Sequence, residues 1–183
     1  LADQSDSIAV FIYPSGRVIV LNEGDGKVSE CNPVRYASHI GVLDSKFFIL
    51  GRDGTFHFYQ TGAAQPVLHG TLGGRSAGMV LAGGDAWMVT YSGSVVRYSS
   101  IENRLSEVVS IPSMNPSGIA TLNENHLVVY GLQGDFVVIN RITGSLYRER
   151  FQTGVPIYAA PVLREGRIII GHRDGTVRSY GCE

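Results

Sequence analysis

Residues 46–59 read Lys46-Phe47-Phe48-Ile49-Leu50, then Gly51-Arg52-Asp53-Gly54, then Thr55-Phe56-His57-Phe58-Tyr59. The two outer runs are rich in aromatic and β-branched residues, which favour strands. Asp-Gly between such runs is a strong hairpin signal, and a two-residue hairpin turn needs the positive φ that glycine adopts without steric cost. The stretch therefore predicts a β-hairpin that turns at Gly54.

The same strand–turn–strand frame recurs along the whole chain. Its turn glycines are Gly16, Gly54, Gly93, Gly134 and Gly175, at intervals of 38, 39, 41 and 41 residues. A period of about forty residues is typical of β-propeller blades. The repeat predicts an all-β chain forming one propeller domain or propeller segment, with four to five blades of four antiparallel strands. The predicted units are about 7–42, 43–82, 83–122, 123–163 and 164–183.

Two further kinds of segment lie between the hairpins. Polar segments at 27–31, 65–69, 104–109 and 145–151 are interpreted as outer edge strands, where charge and proline are tolerated. Small-residue runs at 37–42, 76–82, 118–122 and 159–163 are placed nearest the axis, where the blades converge. On this pattern the first unit lacks its inner strand and the last lacks its outer one.

The length leaves the closure of the ring open. Three alternatives are a compact ring of five blades, a fragment of a longer protein, and a ring completed by a second copy or another chain. Unpaired strand edges invite pairing with another chain. We therefore favour the fragment or the partner-completed ring over the compact ring.

Composition excludes several classes of protein. The 183 residues contain no run of eighteen apolar residues, so no membrane-spanning helix is expected. The net charge of −1 argues against a general nucleic-acid binder. The first residue is leucine, which suggests a processed or trimmed chain.

Arginine is concentrated towards the end of the chain. Residues 141–183 hold seven arginines and four acidic residues, a balance of +3, whereas residues 1–60 hold five bases and seven acids, a balance of −2. Because arginine is enriched at interfaces, these units are a candidate docking face for a protein partner. The candidate residues are Arg148, Arg150, Arg164, Arg173 and Arg178. The alternative is a solvated exterior of edge strands.

The last unit, residues 160–180, resembles the repeat of quinoprotein-like propellers. It begins with Pro161-Val162, continues through an apolar strand ending at Gly171, and turns at Asp174-Gly175-Thr176. Catalytic members of that superfamily carry a quinone, a calcium-type metal site and a tryptophan docking motif. The chain has one tryptophan, Trp87, and places Arg148 four residues beyond Gly144, so we expect neither cofactor nor metal.

The non-catalytic branch of the superfamily is the better match. It includes the periplasmic lipoprotein propeller of outer-membrane barrel assembly. The resemblance implies a non-enzymatic scaffold that binds proteins within a multi-protein assembly, in the periplasm or secreted, with the cytoplasm as the alternative. Competing readings are a quinone- or metal-dependent enzyme of dehydrogenase or lyase type, and a carbohydrate-binding propeller with exposed aromatic residues on its loops.

Two other features of the sequence are candidate sites. Cys31 and Cys182 lie in the first and last units, and a disulfide over a loop of about 150 residues would restrict the unfolded chain by about 5 kcal/mol. With only two cysteines in the chain, the disulfide is a possible pairing, and two independent thiols are at least as well supported. Residues 74–78, Gly-Arg-Ser-Ala-Gly, match the nucleophile-elbow pattern around Ser76, but no helical segment follows, so no serine nucleophile is predicted. The five histidines show no metal-ligand spacing.

Overall fold

A computed structural model describes residues 2–4, 8–43, 45–147 and 150–181 of the chain. These residues form nineteen strands in five antiparallel sheets, in sequence order across each sheet. The first sheet contains β1 (Ala2–Gln4), β2 (Ile8–Ile12), β3 (Val18–Asn22) and β4 (Val28–Cys31), and the second contains β5 (Ala37–Leu43), β6 (Lys46–Gly51), β7 (Thr55–Gln60) and β8 (Leu68–Thr71).

The third sheet contains β9 (Ser76–Ala82), β10 (Asp85–Thr90), β11 (Ser94–Ser99) and β12 (Arg104–Ser110). The fourth contains β13 (Pro116–Asn123), β14 (His126–Gly131), β15 (Asp135–Asn140) and β16 (Phe151–Gln152). The fifth contains β17 (Val162–Arg164), β18 (Arg167–Gly171) and β19 (Val177–Gly181). The predicted unit boundaries fall within about one residue of the end of the first strand of each later sheet.

The hairpin turns are one residue longer than predicted. Leu50 pairs with Phe56, and the amide of Gly54 donates to the carbonyl oxygen of Gly51 at 3.0 Å. The loop is therefore a three-residue turn that ends in a left-handed glycine, the usual alternative to the two-residue hairpin. Gly16, Gly54, Gly93, Gly134 and Gly175 all share this place, with φ between 80° and 89°.

Core packing lies between the sheets. On β6, Phe47 and Ile49 pack against the first sheet, while Phe48 and Leu50 pack against the third. The third sheet packs on the fourth through Trp87 and Val89, and the fourth packs on the fifth through Val128 and Tyr130. This alternation is the period-2 pattern of strands buried on both faces, and it stacks the sheets as propeller blades.

The first strands of neighbouring sheets contact each other, as expected for strands around an axis. Small residues make this approach possible. A Cβ added at Gly78 would lie 2.9 Å from the Cα atom of Gly118, and one at Gly41 would lie 2.8 Å from the Cγ atom of Leu81. Glycine there is a packing requirement of the converging blades.

The structure confirms an all-β propeller and shows it to be incomplete. Within the described ranges, four core clusters join five sheets, and no cluster joins the fifth sheet to the first. The outward face of the first sheet exposes Phe11 and Val28, and that of the fifth exposes Val162 and Val177.

Two strand predictions were wrong. The first sheet has its inner strand, because β1 pairs antiparallel with β2. The fourth outer strand is expected at 145–151, of which 148 and 149 lie outside the described residues; among the described ones, β16 covers Phe151–Gln152 and an isolated bridge joins Ile139 to Leu146. The polar sequence of the outer strand carries little pairing signal, and the short β1 has no apolar alternation.

Candidate functional site: an arginine–tyrosine rim

The five hairpin turns and the four segments that connect the sheets form one rim of the propeller, which we call the turn rim. Each connection is tied by its backbone to a turn glycine: Val34, Leu72, Ile111 and Thr153 donate their amides to the carbonyl oxygens of Gly16, Gly54, Gly93 and Gly134 at 2.6–3.0 Å. The loops between other strands lie at the opposite rim. The turn rim is therefore fixed by main-chain hydrogen bonds.

A second backbone bond recurs within each later blade. The residue two places before the turn glycine donates its amide to the segment that precedes the first strand: Arg52 to Tyr36, Tyr91 to Arg75, Leu132 to Asn115 and Arg173 to Pro156, at 2.8–3.0 Å. These bonds bring two side-chain positions of each of the four later blades together at the rim.

Arginine and tyrosine occupy this neighbourhood in the second, third and fifth blades. The Arg75 guanidinium lies 5.7 Å from the ring centre of Tyr91, and that of Arg173 lies 5.7 Å from the ring centre of Tyr158. The order is swapped, because tyrosine is on the turn in the third blade and arginine is on the turn in the fifth. In the second blade Tyr36 and Arg52 hold the places of Arg75 and Tyr91, whereas in the fifth blade Pro156 holds the place before the first strand and Tyr158 follows it two residues later.

The tyrosines of these pairs are exposed although they are large. Tyr36 is 69% exposed, Tyr91 43% and Tyr158 55%, and Tyr13 on the first turn is 49% exposed. These four tyrosines lie outside the predicted strand segments, so the strand pattern of the sequence does not single them out. Aligning the chain on its turn glycines would have placed Arg52, Tyr91 and Arg173 in one column.

A polar pocket lies on this rim between the second and third blades. Its volume is about 320 Å³, and its lining includes Ser38, His39, Arg52, Arg75, Ser76 and Tyr91. Burial, and then the positive charge of Arg52, lower the pKa of His39, so this imidazole is neutral near pH 7. Neither Arg52 nor Arg75 has an ion-pair partner in the part of the chain that the structure describes.

Two of the predicted docking arginines have structural contacts. Arg150 forms an ion pair with the fully buried carboxylate of Asp135 and donates to the carbonyl oxygen of Ser113 at 2.9 Å. Arg178 donates to the carbonyl oxygen of Thr153 at 3.0 Å, which ties the fifth blade to the fourth.

The other three predicted arginines are not gathered into one patch. Arg173 belongs to the turn rim, whereas Arg164 lies at the opposite rim beside Glu165, with 78% of its side chain exposed. Arg148 lies outside the described residues.

The remaining candidate residues also have defined places. Cys31 is buried between the first two blades, with its sulfur 3.5 Å from the carbonyl oxygen of Ala63. Cys182 lies outside the described residues, so both the possible disulfide and the two free thiols stay open. Ser76 begins a strand, is buried, and donates to the carbonyl oxygen of Gly51 at 2.7 Å. Its hydroxyl is thus committed to the backbone.

Two features are absent from the described ranges. These ranges contain no group of three or more histidine, cysteine, aspartate or glutamate side chains placed to hold a metal ion. They also contain no helix with the length and hydropathy needed to cross a membrane.

Comparison with known proteins supports the fold. No protein-family model and no curated protein sequence matches this chain. Among solved structures, the computationally designed Ika8 protein superposes with a TM-score of 0.82 at 17% identity, over 98% of this chain and 57% of that one. BamB from Moraxella catarrhalis superposes with a TM-score of 0.73 at 22% identity, over 99% of this chain and 57% of that one. The chain thus spans little more than half of each of these proteins, and it shares with them the fold of a β-propeller.

Proposed function

We propose that this propeller is a non-enzymatic scaffold that binds a protein partner through its turn rim, within a multi-protein assembly of the bacterial cell envelope. The observation that carries the proposal is the set of arginine–tyrosine pairs Tyr36 and Arg52, Arg75 and Tyr91, and Tyr158 and Arg173 on one rim. Tyrosine and arginine are the residues most enriched at the energetic centres of protein interfaces.

Rigidity of the rim supports the same role. Each of the first four turns is tied to the next connection by a backbone hydrogen bond, so the exposed side chains are presented on a fixed frame. A preorganised surface loses less conformational entropy when it binds. The arrangement therefore favours recognition of a folded partner by several blades at once.

The envelope setting rests on resemblance. The fold is similar to that of BamB, and the repeat sequence resembles the non-catalytic branch of quinoprotein-like propellers. These likenesses support a periplasmic location and a role beside other proteins of an assembly machinery.

Carbohydrate binding is the second candidate, since exposed tyrosines stand on the loops of several blades. Sugar-binding aromatic rings need an open face. In two of the three pairs an arginine covers one face of the tyrosine ring at 5.7 Å, which favours a protein partner.

Site-specific photo-crosslinking tests the proposal. A benzophenone amino acid is placed at Tyr36, Tyr91 or Tyr158 and, as a matched control, at Ile101 on the opposite rim, which is 93% exposed. Crosslinking is done in cells of the source organism, and the products are identified by mass spectrometry. We expect the three rim positions to capture the same protein and Ile101 not to capture it. Capture from Ile101 alone, or no product from any rim position, would contradict the proposal.

A further inference from the structure

We infer that the pocket between the second and third blades binds a carboxylate group from an acidic segment of the protein partner. The inference rests on the proposed role of the turn rim and specifies the chemistry of one contact. It uses the polar pocket lined by Ser38, His39, Arg52, Arg75, Ser76 and Tyr91.

Positive charge in this pocket is uncompensated. Arg52 and Arg75 rise from adjacent backbone segments, because the amide of Ser76 donates to the carbonyl oxygen of Arg52 at 3.3 Å. The nearest acidic neighbour along the chain, Asp53, is engaged by the amide and hydroxyl of Thr55 at 3.0 Å and 2.7 Å. Two guanidinium groups therefore share one concave site without an ion-pair partner among the described residues.

The two serine hydroxyls of the pocket are already used. The hydroxyl of Ser38 donates to the carbonyl oxygen of Leu50 at 3.1 Å and contacts the Nδ1 atom of His39 at 2.9 Å. The hydroxyl of Ser76 donates to the carbonyl oxygen of Gly51. The guanidinium groups remain as the donors for a ligand, and the neutral His39 adds no competing charge.

Geometry favours a planar oxyanion. The Arg75 guanidinium lies over the Tyr91 ring at 5.7 Å, which restricts its orientation. A guanidinium presents a rigid fork of donors that matches a carboxylate through two parallel hydrogen bonds. Phosphate offers similar oxygen atoms, so the experiment must separate it from an acidic peptide.

The test uses the whole chain, labelled with ¹⁵N, and follows the Nε–H signals of its arginines by NMR. The probes are a blocked tetraglutamate peptide, the matching tetraglutamine peptide and inorganic phosphate. We expect tetraglutamate to shift the Arg52 and Arg75 signals saturably, and to leave the signal of Arg164 at the opposite rim unchanged. Loss of one charge-assisted contact should weaken binding about tenfold in Arg52→Gln or Arg75→Gln, and Arg164→Gln should bind as the parent chain does.

Several outcomes overturn the inference. The first is a shift of the Arg164 signal as large as those of Arg52 and Arg75. The second is binding of phosphate without binding of tetraglutamate. The third is unchanged affinity for tetraglutamate in an Arg52→Gln/Arg75→Gln variant whose thermal midpoint equals that of the parent chain. The proposed function is judged separately, by crosslinking from Tyr158, which lies outside this pocket. If the parent chain does not bind tetraglutamate but Tyr158 still crosslinks to the partner, the carboxylate site is rejected and the turn rim remains the proposed interface.

Discussion

The carbonyl oxygen of Gly74 lies so close to Gly54 that it would collide with a side-chain Cβ atom there. The connection from the second blade to the third thus passes directly over the hairpin turn of the second. The same relationship joins Gly16 to Val34, Gly93 to Ile111 and Gly134 to Val155. The repeating glycine therefore meets two needs, a left-handed backbone and room for the crossing connection.

This relationship predicts unequal costs for the same substitution. At Gly175 the φ is 82°, but no atom lies within 4 Å of an added Cβ, so Gly175→Ala should cost only the left-handed strain of about 1–2 kcal/mol. Gly54→Ala also introduces a collision with the backbone, which should cost about 1–3 kcal/mol more. Urea unfolding of the two variants measures the difference, and equal losses would contradict this account of the turn.

Arg150 is predicted to matter for stability more than any exposed arginine. It is paired with the buried carboxylate of Asp135, and removing one partner of such a pair costs about 3–5 kcal/mol. Arg150→Ala should therefore lower the free energy of unfolding by about that amount. The control Arg164→Ala, at an exposed side chain beside Glu165, should change it by less than about 1 kcal/mol. Similar values for the two variants would show that the Asp135 pair is not structural.

Stability should fall as the pH drops from about 7 to about 5, because two histidines are held neutral by the fold. Burial lowers the pKa of both, with a further contribution from Arg52 at His39 and from His69 at His57. The unfolded chain takes up these protons near its ordinary pKa of about 6.5, whereas the folded chain takes them up only at lower pH. Their contribution is thus complete above the unfolded pKa and is lost as pH falls through the folded values.

Urea unfolding at several pH values between about 7 and about 5 measures how steeply the free energy of unfolding changes with pH. The double variant His39→Gln/His57→Gln should show a flatter dependence on pH than the parent chain. A slope that is the same in both proteins would assign the pH dependence to other groups.

Cys31 should react slowly with thiol reagents in the folded protein. Its side chain is 4% exposed, and burial raises the pKa of its thiol, which lowers the thiolate fraction. In a Cys182→Ser variant, a chromogenic disulfide reagent should label Cys31 rapidly in urea and at least tenfold more slowly in buffer. Rapid labelling in buffer would mean that the first two blades separate readily. Mass measurement of the parent chain with and without reductant checks the possible disulfide.

Much of the fold could be predicted from the sequence because each blade repeats the same two physical requirements. The turn glycines mark the positions of the hairpin turns. The apolar runs around them must be buried on both faces, as Phe47 and Phe48 show by packing towards different blades. Edge strands without a clear hydrophobic pattern could not be predicted, because β1 is only three residues long and β16 only two. Their pairing is set by the neighbouring strand.

The candidate site was harder to predict for a different reason. Residue counts drew attention to the arginines of residues 141–183, but Arg150 and Arg178 have structural contacts that appear only when the blades are packed. Arg75 and Tyr91 are distant in sequence, and arginine and tyrosine exchange places between blades. No local motif therefore marks the pairs, although the repeat frame does.

Binding of the crosslinked partner to a tyrosine-depleted rim tests the central claim most directly. The partner is purified, and its affinity is measured for the triple variant Tyr36→Ala/Tyr91→Ala/Tyr158→Ala and for a control, Ile101→Ala/Ile142→Ala, altered at exposed residues of the opposite rim. With each interface tyrosine worth at least about 1 kcal/mol, we expect the triple variant to bind roughly 100-fold more weakly at an unchanged thermal midpoint. An affinity equal to that of the control would show that the turn rim is not the binding surface.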